Sequence, residues 1–362
     1  MIERVEQLPE PEPDMNRLLT ALGRGQPDRV PLIELAVDPE IIGMLRDGSP
    51  LQWDDSFDEK RARVFGREHN TFWHRLGYDY VRVSPRVRFD LTRVTTDDTA
   101  DLGRGRREWA DSAHGAVQSM DDVERYPWPT LTDDDFKSAR AVIDQLPDGM
   151  GAIGFSGGVF EFSSQLVGIE KFLMGIYMDP DFIQTVIDRV GAFIGDTFKT
   201  FCGMGPVKAV WLGDDLGSKN ATMVDPAFLR RTVFPWYRRY AELAHEAGRL
   251  FLLHSCGNLT AIMDDLVELG VDAKHSFEDA IMPVEQVKQR WGDRLAILGG
   301  VDVDILSRGS EQQVRDRTEA ILHSCAPGGG FACGSGNSIA NYVKPENYLA
   351  MLETVHRFNG RM

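Results

Sequence analysis

Residues 207–256 contain the clearest alternation of strand and helix patterns in the chain. They read VKAVWLGDD (207–215), then DPAFLRRTVFPWYRRYAELAHEAG (225–248), then LFLLHSC (250–256). The first and last runs are short and apolar, which predicts buried strands. The middle run has apolar residues at steps of three and four, which predicts a helix. A strand, a helix and a second strand in this order predict two neighbouring parallel strands.

The same alternation extends along most of the chain. Further strands are predicted at 30–36, 78–84, 151–156, 271–277, 295–302 and 330–336, and further helices at 168–201, 258–270 and 310–325. Eight strand–helix units favour an α/β fold with a single closed (β/α)₈ TIM barrel. An open dinucleotide-binding sheet is disfavoured because no Gly-x-Gly-x-x-Gly motif opens a helix after the first strand.

Two segments lie outside the regular alternation. Residues 1–27 are predicted to be an N-terminal arm and helix, with 1–13 flexible and Asp14 capping a helix at 14–24, and the barrel domain is expected to span 28–362. Residues 87–120 are rich in Thr, Asp and Arg and predict a hairpin inserted in a barrel loop. This hairpin is expected to be either a lid over a substrate cleft or a surface excursion.

Composition narrows the classes of function. The chain has 362 residues, a formal net charge of −16 and four cysteines. Such an acidic chain has no general attraction to nucleic acid or anionic lipid, and four cysteines are too few for a disulfide framework. The chain has neither a signal-like apolar segment at its start nor a run of 18 apolar residues. We therefore expect a cytoplasmic protein without a membrane span.

Polar side chains follow most of the predicted strands. The residues at the predicted strand ends are Glu34, Asp214, Asp215, His254, Cys256, Glu278, Asp302 and Cys333. In a (β/α)₈ barrel the carboxyl ends of all strands meet at one face, so these side chains are expected to share one rim. Glu34 and Asp302 are predicted there as cofactor contacts.

Sulfur and imidazole at this rim predict a zinc site. His254 and Cys256 are two residues apart and therefore point the same way from a strand. With Cys333 and a labile Glu278 they would form a tetrahedral catalytic site. Asp214 and Asp215 are expected either to cap the helical turn that follows them or, for at least one of them, to bind substrate.

The remaining candidates have simpler explanations. Cys202 and Cys325 lie near helix ends and are expected to be inert core thiols. His275 lies beside the proposed ligands in sequence and is expected to form a hydrogen bond rather than to bind metal.

Longer motifs resemble a known family. They are DRVPLIEL (28–35), LVGIEKFLMGIYMDPDFI (166–183), WLGDDLGSKNATMVDPAFLRRTVFPWYRRY (211–240), LLHSCGN (252–258), ILGGVD (297–302) and PENYLAMLE (345–353). Together they resemble the uroporphyrinogen decarboxylase superfamily over most of the chain. The resemblance implies a single TIM barrel.

Within that superfamily, the resemblance favours the corrinoid-dependent methyltransferases. His254, Cys256 and Cys333 match their zinc-binding pattern, and Glu278 matches the place of a glutamate ligand in cobalamin-independent methionine synthase. The resemblance implies a zinc-dependent methyltransferase that moves a methyl group between a methylcobamide and a thiol or pterin acceptor, or serves a demethylase system. Asp214 or Asp215 would bind the pterin, Glu278 would be catalytic, and a homodimer would be common for the family.

The partner and the alternatives follow from what the sequence lacks. The chain has no Asp-x-His-x-x-Gly signature, so the methylcobamide is expected to arrive on a separate corrinoid protein. The first alternative is a metal-free decarboxylase acting on a tetrapyrrole or another carboxylated ring, although residues 31–45 lack the arginines of that branch. The second is a non-catalytic barrel that binds a corrinoid or a metal.

Overall fold

The structure is a computed structural model that describes residues 1–46, 48–49, 51–87, 89–98, 106–111 and 114–362. The strands are β1 (Tyr80–Val83), β2 (Arg93–Asp97), β3 (Arg106–Ala110), β4 (Gly151–Gly157), β5 (Val207–Gly213), β6 (Leu250–His254), β7 (Ala273–His275), β8 (Ala296–Leu298) and β9 (Phe331–Ala332). Within these residues, seven strands form a parallel sheet in the order β1-β4-β5-β6-β7-β8-β9. The strand pattern predicted from the sequence is confirmed at all seven places.

Helices surround the sheet. The first eight are α1 (Ile2–Glu6), α2 (Met15–Leu22), α3 (Pro39–Leu45), α4 (Glu59–Leu76), α5 (Met120–Arg125), α6 (Lys137–Ile143), α7 (Val159–Val167) and α8 (Ile169–Met178). The others are α9 (Pro180–Cys202), α10 (Pro226–Thr232), α11 (Phe234–Glu246), α12 (Met263–Glu268), α13 (Val284–Trp291), α14 (Val303–Arg308), α15 (Glu311–Cys325) and α16 (Pro345–Phe358), with a 3₁₀ helix at Asp133–Phe136. In the part of the chain that the structure describes, none of these helices is long and apolar enough to cross a membrane.

The predicted first strand, 30–36, is not a regular strand. It is an extended segment with isolated parallel bridges, Leu32 to Cys333 and Val37 to Ile339. On its other side, the hydroxyl of Tyr80 in β1 accepts the backbone N–H of Glu34 and donates to the Glu34 carbonyl. A side chain therefore takes the place of a backbone ladder between this segment and β1. The segment lies between the two edge strands of the curled sheet, in agreement with a TIM-barrel fold.

The two faces of the sheet can be assigned from β6. The ring of Phe251 packs against Phe198 of α9 and against Tyr237 and Tyr240 of α11, so Phe251 faces the outer helices. Because strand side chains alternate, His254 points to the interior of the barrel. This alternation positions the site.

The prediction of a flexible arm at 1–13 is wrong for its first residues. Residues 2–6 form α1, and Val5 and Leu8 are buried. Arg75 of α4 donates to the backbone carbonyls of Glu6, Leu8 and Pro9, which fixes the segment after α1. The predicted cap of the next helix is confirmed, because the Asp14 carboxylate accepts the N–H of Asn16.

The hairpin predicted within 87–120 is confirmed. Strands β2 and β3 pair antiparallel, with Val94 opposite Trp109. Residues 99–105, between the two strands, lie outside the described residues. That the hairpin is a lid stays a prediction.

Replacement of Leu8 tests how firmly the first residues are attached. Leu8 is 3% exposed, so Leu8→Ala should lower the free energy of unfolding by about 2–4 kcal/mol. Ile2 lies in the same segment but is 45% exposed, so Ile2→Ala should change it by less than about 0.5 kcal/mol. Urea denaturation of both variants measures the difference, and equal small effects would contradict the packing of this segment.

Candidate metal centre

Three side chains bring possible metal ligands together at the carboxyl ends of β5 and β6. An oxygen of Asp215, Nε2 of His254 and Sγ of Cys256 all lie within 4.8 Å of one another. Nε2 of His254 is 3.5 Å from the Cys256 sulfur and 3.8 Å from the nearer Asp215 oxygen. The prediction that His254 and Cys256 point to the same place is confirmed.

A chain of hydrogen bonds sets the orientation of His254. Nε2 of His275 is 3.1 Å from the backbone carbonyl oxygen of Ser335, and the Nδ1 atoms of His254 and His275 are 2.8 Å apart. A carbonyl can only accept, so His275 carries its proton on Nε2 and accepts at Nδ1. His254 must then donate from Nδ1, and the lone pair on its Nε2 faces Cys256 and Asp215. This tautomer is the one that a metal-binding imidazole needs.

Burial keeps both imidazoles neutral. It lowers the pKa of His275 to about 3. The pKa of His254 is held well below its ordinary value, first by burial and then by electrostatic interactions with His275, Lys274 and Arg82. Neutral imidazole is the form that binds a metal ion.

Two glycines let the loops after β5 and β6 approach closely. A Cβ atom on Gly217 would lie 2.7 Å from the carbonyl oxygen of Cys256, and one on Gly257 would lie 2.3 Å from the Gly217 backbone. Gly257 also has a φ of +83°, which favours glycine. This contact lets Asp215 accept the backbone N–H of Cys256 at 2.9 Å. The loops after β5 and β6 are therefore held together as one unit.

The Cys256 thiol lies among polar groups. Nδ2 of Asn337 donates to its sulfur at 3.2 Å, and Oγ of Ser276 does so at 3.5 Å. Burial first, and then the charge of Asp215, raise the pKa of Cys256 to about 12. The thiol therefore stays protonated at neutral pH, and a thiolate requires a nearby cation.

Lys274 of β7 and Ser276, which follows β7, fix the backbone and side chains near the Cys256 sulfur. Nζ of Lys274 donates to the backbone carbonyls of Ser255 and Ser276, and burial lowers its pKa to about 8. Ser276 has a φ of +84°, a conformation that costs a non-glycine residue roughly 1–3 kcal/mol. The structure thus holds a strained residue in contact with the Cys256 sulfur.

Cys333 does not join this group, which corrects the predicted ligand set. His254 is in register with His275, His275 with Leu298, and Leu298 with Ala332. Ala332 therefore shares the interior face, and Cys333 points to the opposite face. The groups whose electrostatic interactions help to raise the pKa of Cys333 are Cys325 and Glu34, whereas the groups that act on the pKa of Cys256 are Asp215, Ser276 and Lys274. The prediction of Cys333 as a ligand beside Cys256 is wrong.

Glu278 also lies outside the group. It is exposed in the loop after β7, and among the described residues the only group of three potential ligands is Asp215, His254 and Cys256. Its roles as a labile fourth ligand and as a catalytic residue stay predictions.

The neighbouring aspartates have different roles. Asp214 is fully buried and accepts the N–H groups of Phe160 and Glu161 in the first turn of α7, together with the Tyr237 hydroxyl. Asp214 therefore caps α7, which precedes β5 in the chain, and not the turn after β5 that the sequence suggested. Adjacent residues of an extended chain point in opposite directions, so Asp215 points the other way. Asp215 is the member that reaches the site.

The two predicted cofactor contacts bind the protein itself. Glu34 has no exposed surface, and its carboxylate accepts the N–H and the hydroxyl of Ser335. It therefore cannot touch a bound cofactor, and that prediction is wrong. The Asp302 carboxylate accepts the N–H groups of Asp304 and Asp279. Its contact with a cofactor stays a prediction.

The sequence interpretation missed three residues near the site. Glu161 is half-buried beside Asp214 and Asp215, and burial followed by these charges raises its pKa to about 8. Its signal was its place just after the third predicted strand. Asn337 could have been found because it follows β9 next to Gly336. Ser276 carries no comparable signal.

Comparisons with known proteins agree with this architecture. A family profile described as "Uroporphyrinogen decarboxylase (URO-D)" matches residues 103–358. Among solved structures, a methyltransferase from Methanosarcina mazei superimposes with a TM-score of 0.70 at 17% identity, covering 96% of this chain and 99% of that one. This similarity shows a shared fold.

Curated relatives carry the name uroporphyrinogen decarboxylase. The protein from Methylococcus capsulatus is 25% identical over 237 residues, which are 61% of this chain and 63% of that protein. The protein from Pseudoalteromonas translucida is 21% identical over 258 residues, which are 68% and 70% of the two chains. The match thus spans less than two thirds of the Methylococcus protein.

The buried Glu34 predicts a measurable dependence of stability on pH. Burial raises its pKa from 4.5 to about 8, so between these values the folded protein keeps a proton that the unfolded chain has lost. The free energy of unfolding is therefore highest, as far as Glu34 contributes, below pH 4.5. It falls as the pH rises to about 8, by up to roughly 1.4 kcal/mol per pH unit. Glu34→Gln should flatten this part of the curve.

The control is Glu246→Gln, which removes a carboxylate from the exposed face of α11. Urea denaturation from pH 5 to pH 8 measures all three proteins. A slope that is the same in wild type and Glu34→Gln would show that Glu34 is ionised in the folded state.

Proposed function

This chain belongs to the uroporphyrinogen decarboxylase family, and from that premise we propose that it is a zinc-dependent methyltransferase. It would move a methyl group between a methylcobamide, carried by a partner corrinoid protein, and a thiol or pterin acceptor. The observation that carries the proposal is the convergence of Asp215, His254 and Cys256. The methyltransferase neighbour from Methanosarcina mazei supports the same class of reaction by analogy of fold.

The three side chains fit zinc. Sulfur, imidazole nitrogen and carboxylate oxygen are the ligand types that zinc accepts, and catalytic zinc sites use three protein ligands and leave a position for substrate. The tautomer of His254 directs the Nε2 lone pair into the group. Zinc bound there would act as a Lewis acid and lower the pKa of an acceptor thiol.

Neighbouring groups would hold the Cys256 sulfur in place and stabilise its thiolate form. Asn337 and Ser276 donate to Cys256, and such hydrogen bonds stabilise a thiolate more than a thiol. The Lys274 ammonium adds a positive charge that favours the same form. Asp215 fixes the loop through the Cys256 N–H while offering its carboxylate to the site.

Glu161 offers a proton for the reaction. It is half-buried and interacts electrostatically with Asp215, and its raised pKa of about 8 keeps it protonated at neutral pH. A carboxylic acid in this state can donate a proton to a nitrogen or oxygen atom of the molecule that receives or releases the methyl group. This role applies to a pterin better than to a thiol.

A second candidate is a metal-free carboxy-lyase, because the curated relatives are named uroporphyrinogen decarboxylase. Residues 31–45 contain no arginine, which leaves that segment without the groups that would bind the carboxylates of a tetrapyrrole. Metal content separates the two candidates.

Zinc analysis of purified variants tests the proposal. Wild type should hold about one zinc per chain and demethylate methylcobalamin in the presence of a thiol or tetrahydrofolate. Cys256→Ala should lose zinc and activity because it removes one of three ligands. Cys333→Ala should keep both, because its sulfur faces away from the site.

Elemental analysis and the absorption change of methylcobalamin provide the two readouts. Absence of zinc from wild type after reconstitution would favour the carboxy-lyase. Loss of zinc in Cys333→Ala, with Cys256→Ala unaffected, would show that the ligand set is different.

A further inference from the structure

A cavity, separate from the group of metal ligands, opens at the carboxyl ends of β1 and β4. Its volume is about 380 Å³, a size typical of small-molecule sites. Its apolar wall consists of Phe89, Phe155, Phe162 and Phe193. Two of the other rings pack against Phe89, whose ring centroid lies 5.1 Å from that of Phe162 and 5.0 Å from that of Phe193. The wall is therefore a preformed aromatic surface.

The guanidinium group of Arg82 lies against this aromatic surface and has no anionic partner among the described residues. The guanidinium carbon of Arg82 is 4.4 Å from the centroid of the Phe155 ring. Arg82 forms neither an ion pair nor a hydrogen bond with any residue that the structure describes. Burial lowers its pKa to about 10, so the group is still charged at neutral pH. A guanidinium has five N–H donors, so those of Arg82 remain available to the acceptor atoms of a ligand in the cavity.

The cavity lies beside the metal centre. Gly157 lines the cavity and is in register with Gly213, which is in register with His254. Two strand spacings correspond to about 10 Å. The charge of Arg82 acts on His254 and lowers its pKa. Gln165, also in the cavity wall, donates to Glu161, whose carboxyl group is acted on by Asp215. A molecule in the cavity would reach towards the metal ligands.

We propose that this cavity binds a small aromatic carboxylic acid, whose carboxylate pairs with Arg82 and whose ring packs against the phenylalanine wall. The planar guanidinium matches a carboxylate through two parallel hydrogen bonds. Phenyl rings favour a planar apolar body in edge-to-face contact. If the proposed methyl transfer is correct, this acid is the small molecule that donates or receives the methyl group at the metal centre.

Calorimetric titration with benzoate tests the binding in metal-free protein, prepared with a chelator. Wild type should bind benzoate, whereas benzamide, which has the same ring without the charge, should bind about tenfold more weakly or worse. Inorganic phosphate, which has charge without an apolar body, should not compete with benzoate. Because no metal is present, the outcome does not depend on the proposed methyl transfer.

Arg82→Met keeps the length of the side chain and removes its charge, so it should weaken benzoate at least about tenfold and leave benzamide unchanged. Arg82→Lys keeps the charge but not the planar fork and should give an intermediate affinity. The matched control is Arg86→Met, which removes an exposed cation that follows β1 and pairs with Asp55. It should bind benzoate as wild type does.

Thermal melting of each variant verifies folding. If Arg82→Met does not fold, the comparison of benzoate with benzamide on wild type still tests whether the carboxylate contributes to binding. Equal affinity for the two molecules, no binding of benzoate, or full binding by a folded Arg82→Met would overturn the proposal. Loss of zinc binding with benzoate binding intact would refute the methyl transfer alone.

Discussion

The direction of one lone pair determines what the site can do. The backbone carbonyl of Ser335 can only accept, so it fixes the proton of His275, and His275 in turn fixes the proton of His254. The free nitrogen of His254 is thereby aimed at Cys256 and Asp215. Without this constraint, a neutral imidazole could present an N–H to the same place and repel a cation. The curled parallel sheet matters because it brings the carboxyl ends of β6 and β7 and the segment after β9 to the same rim.

The metal centre and the aromatic cavity have different proposed roles: one binds an ion and the other binds an organic molecule. Asp215, His254 and Cys256 provide ligands of three chemical kinds for one ion. The cavity provides a cation and an apolar wall for an organic molecule. Glu161 lies between them with a proton available at neutral pH. Such a separation lets one rim bind an ion, orient a substrate and supply a proton with groups from different strands.

The sequence predicted strands and faces better than it predicted register. Apolar runs located the seven strands, and the two-residue spacing of His254 and Cys256 put them on one side. Cys333 was misplaced because a shift of one residue reverses the face, and β9 gives no sign of its register. For Asp214 and Asp215 the sequence likewise does not show which of the two neighbours faces the site. Burial of Val5 and Leu8 was hidden by the acidic, proline-rich segment around them. Asn337 and Ser276 reach the sulfur from loops, whose paths depend on the assembled barrel.

X-ray absorption at the zinc edge tests the central claim most directly, because it counts sulfur atoms bound to the metal. The structure places one cysteine in the group, so the spectrum of the zinc-loaded protein should fit one sulfur at about 2.3 Å, with nitrogen and oxygen for the other ligands. Two sulfur ligands would mean that Cys333 turns to the interior face and that the register of β9 differs from this structure. A spectrum without sulfur would contradict the site itself.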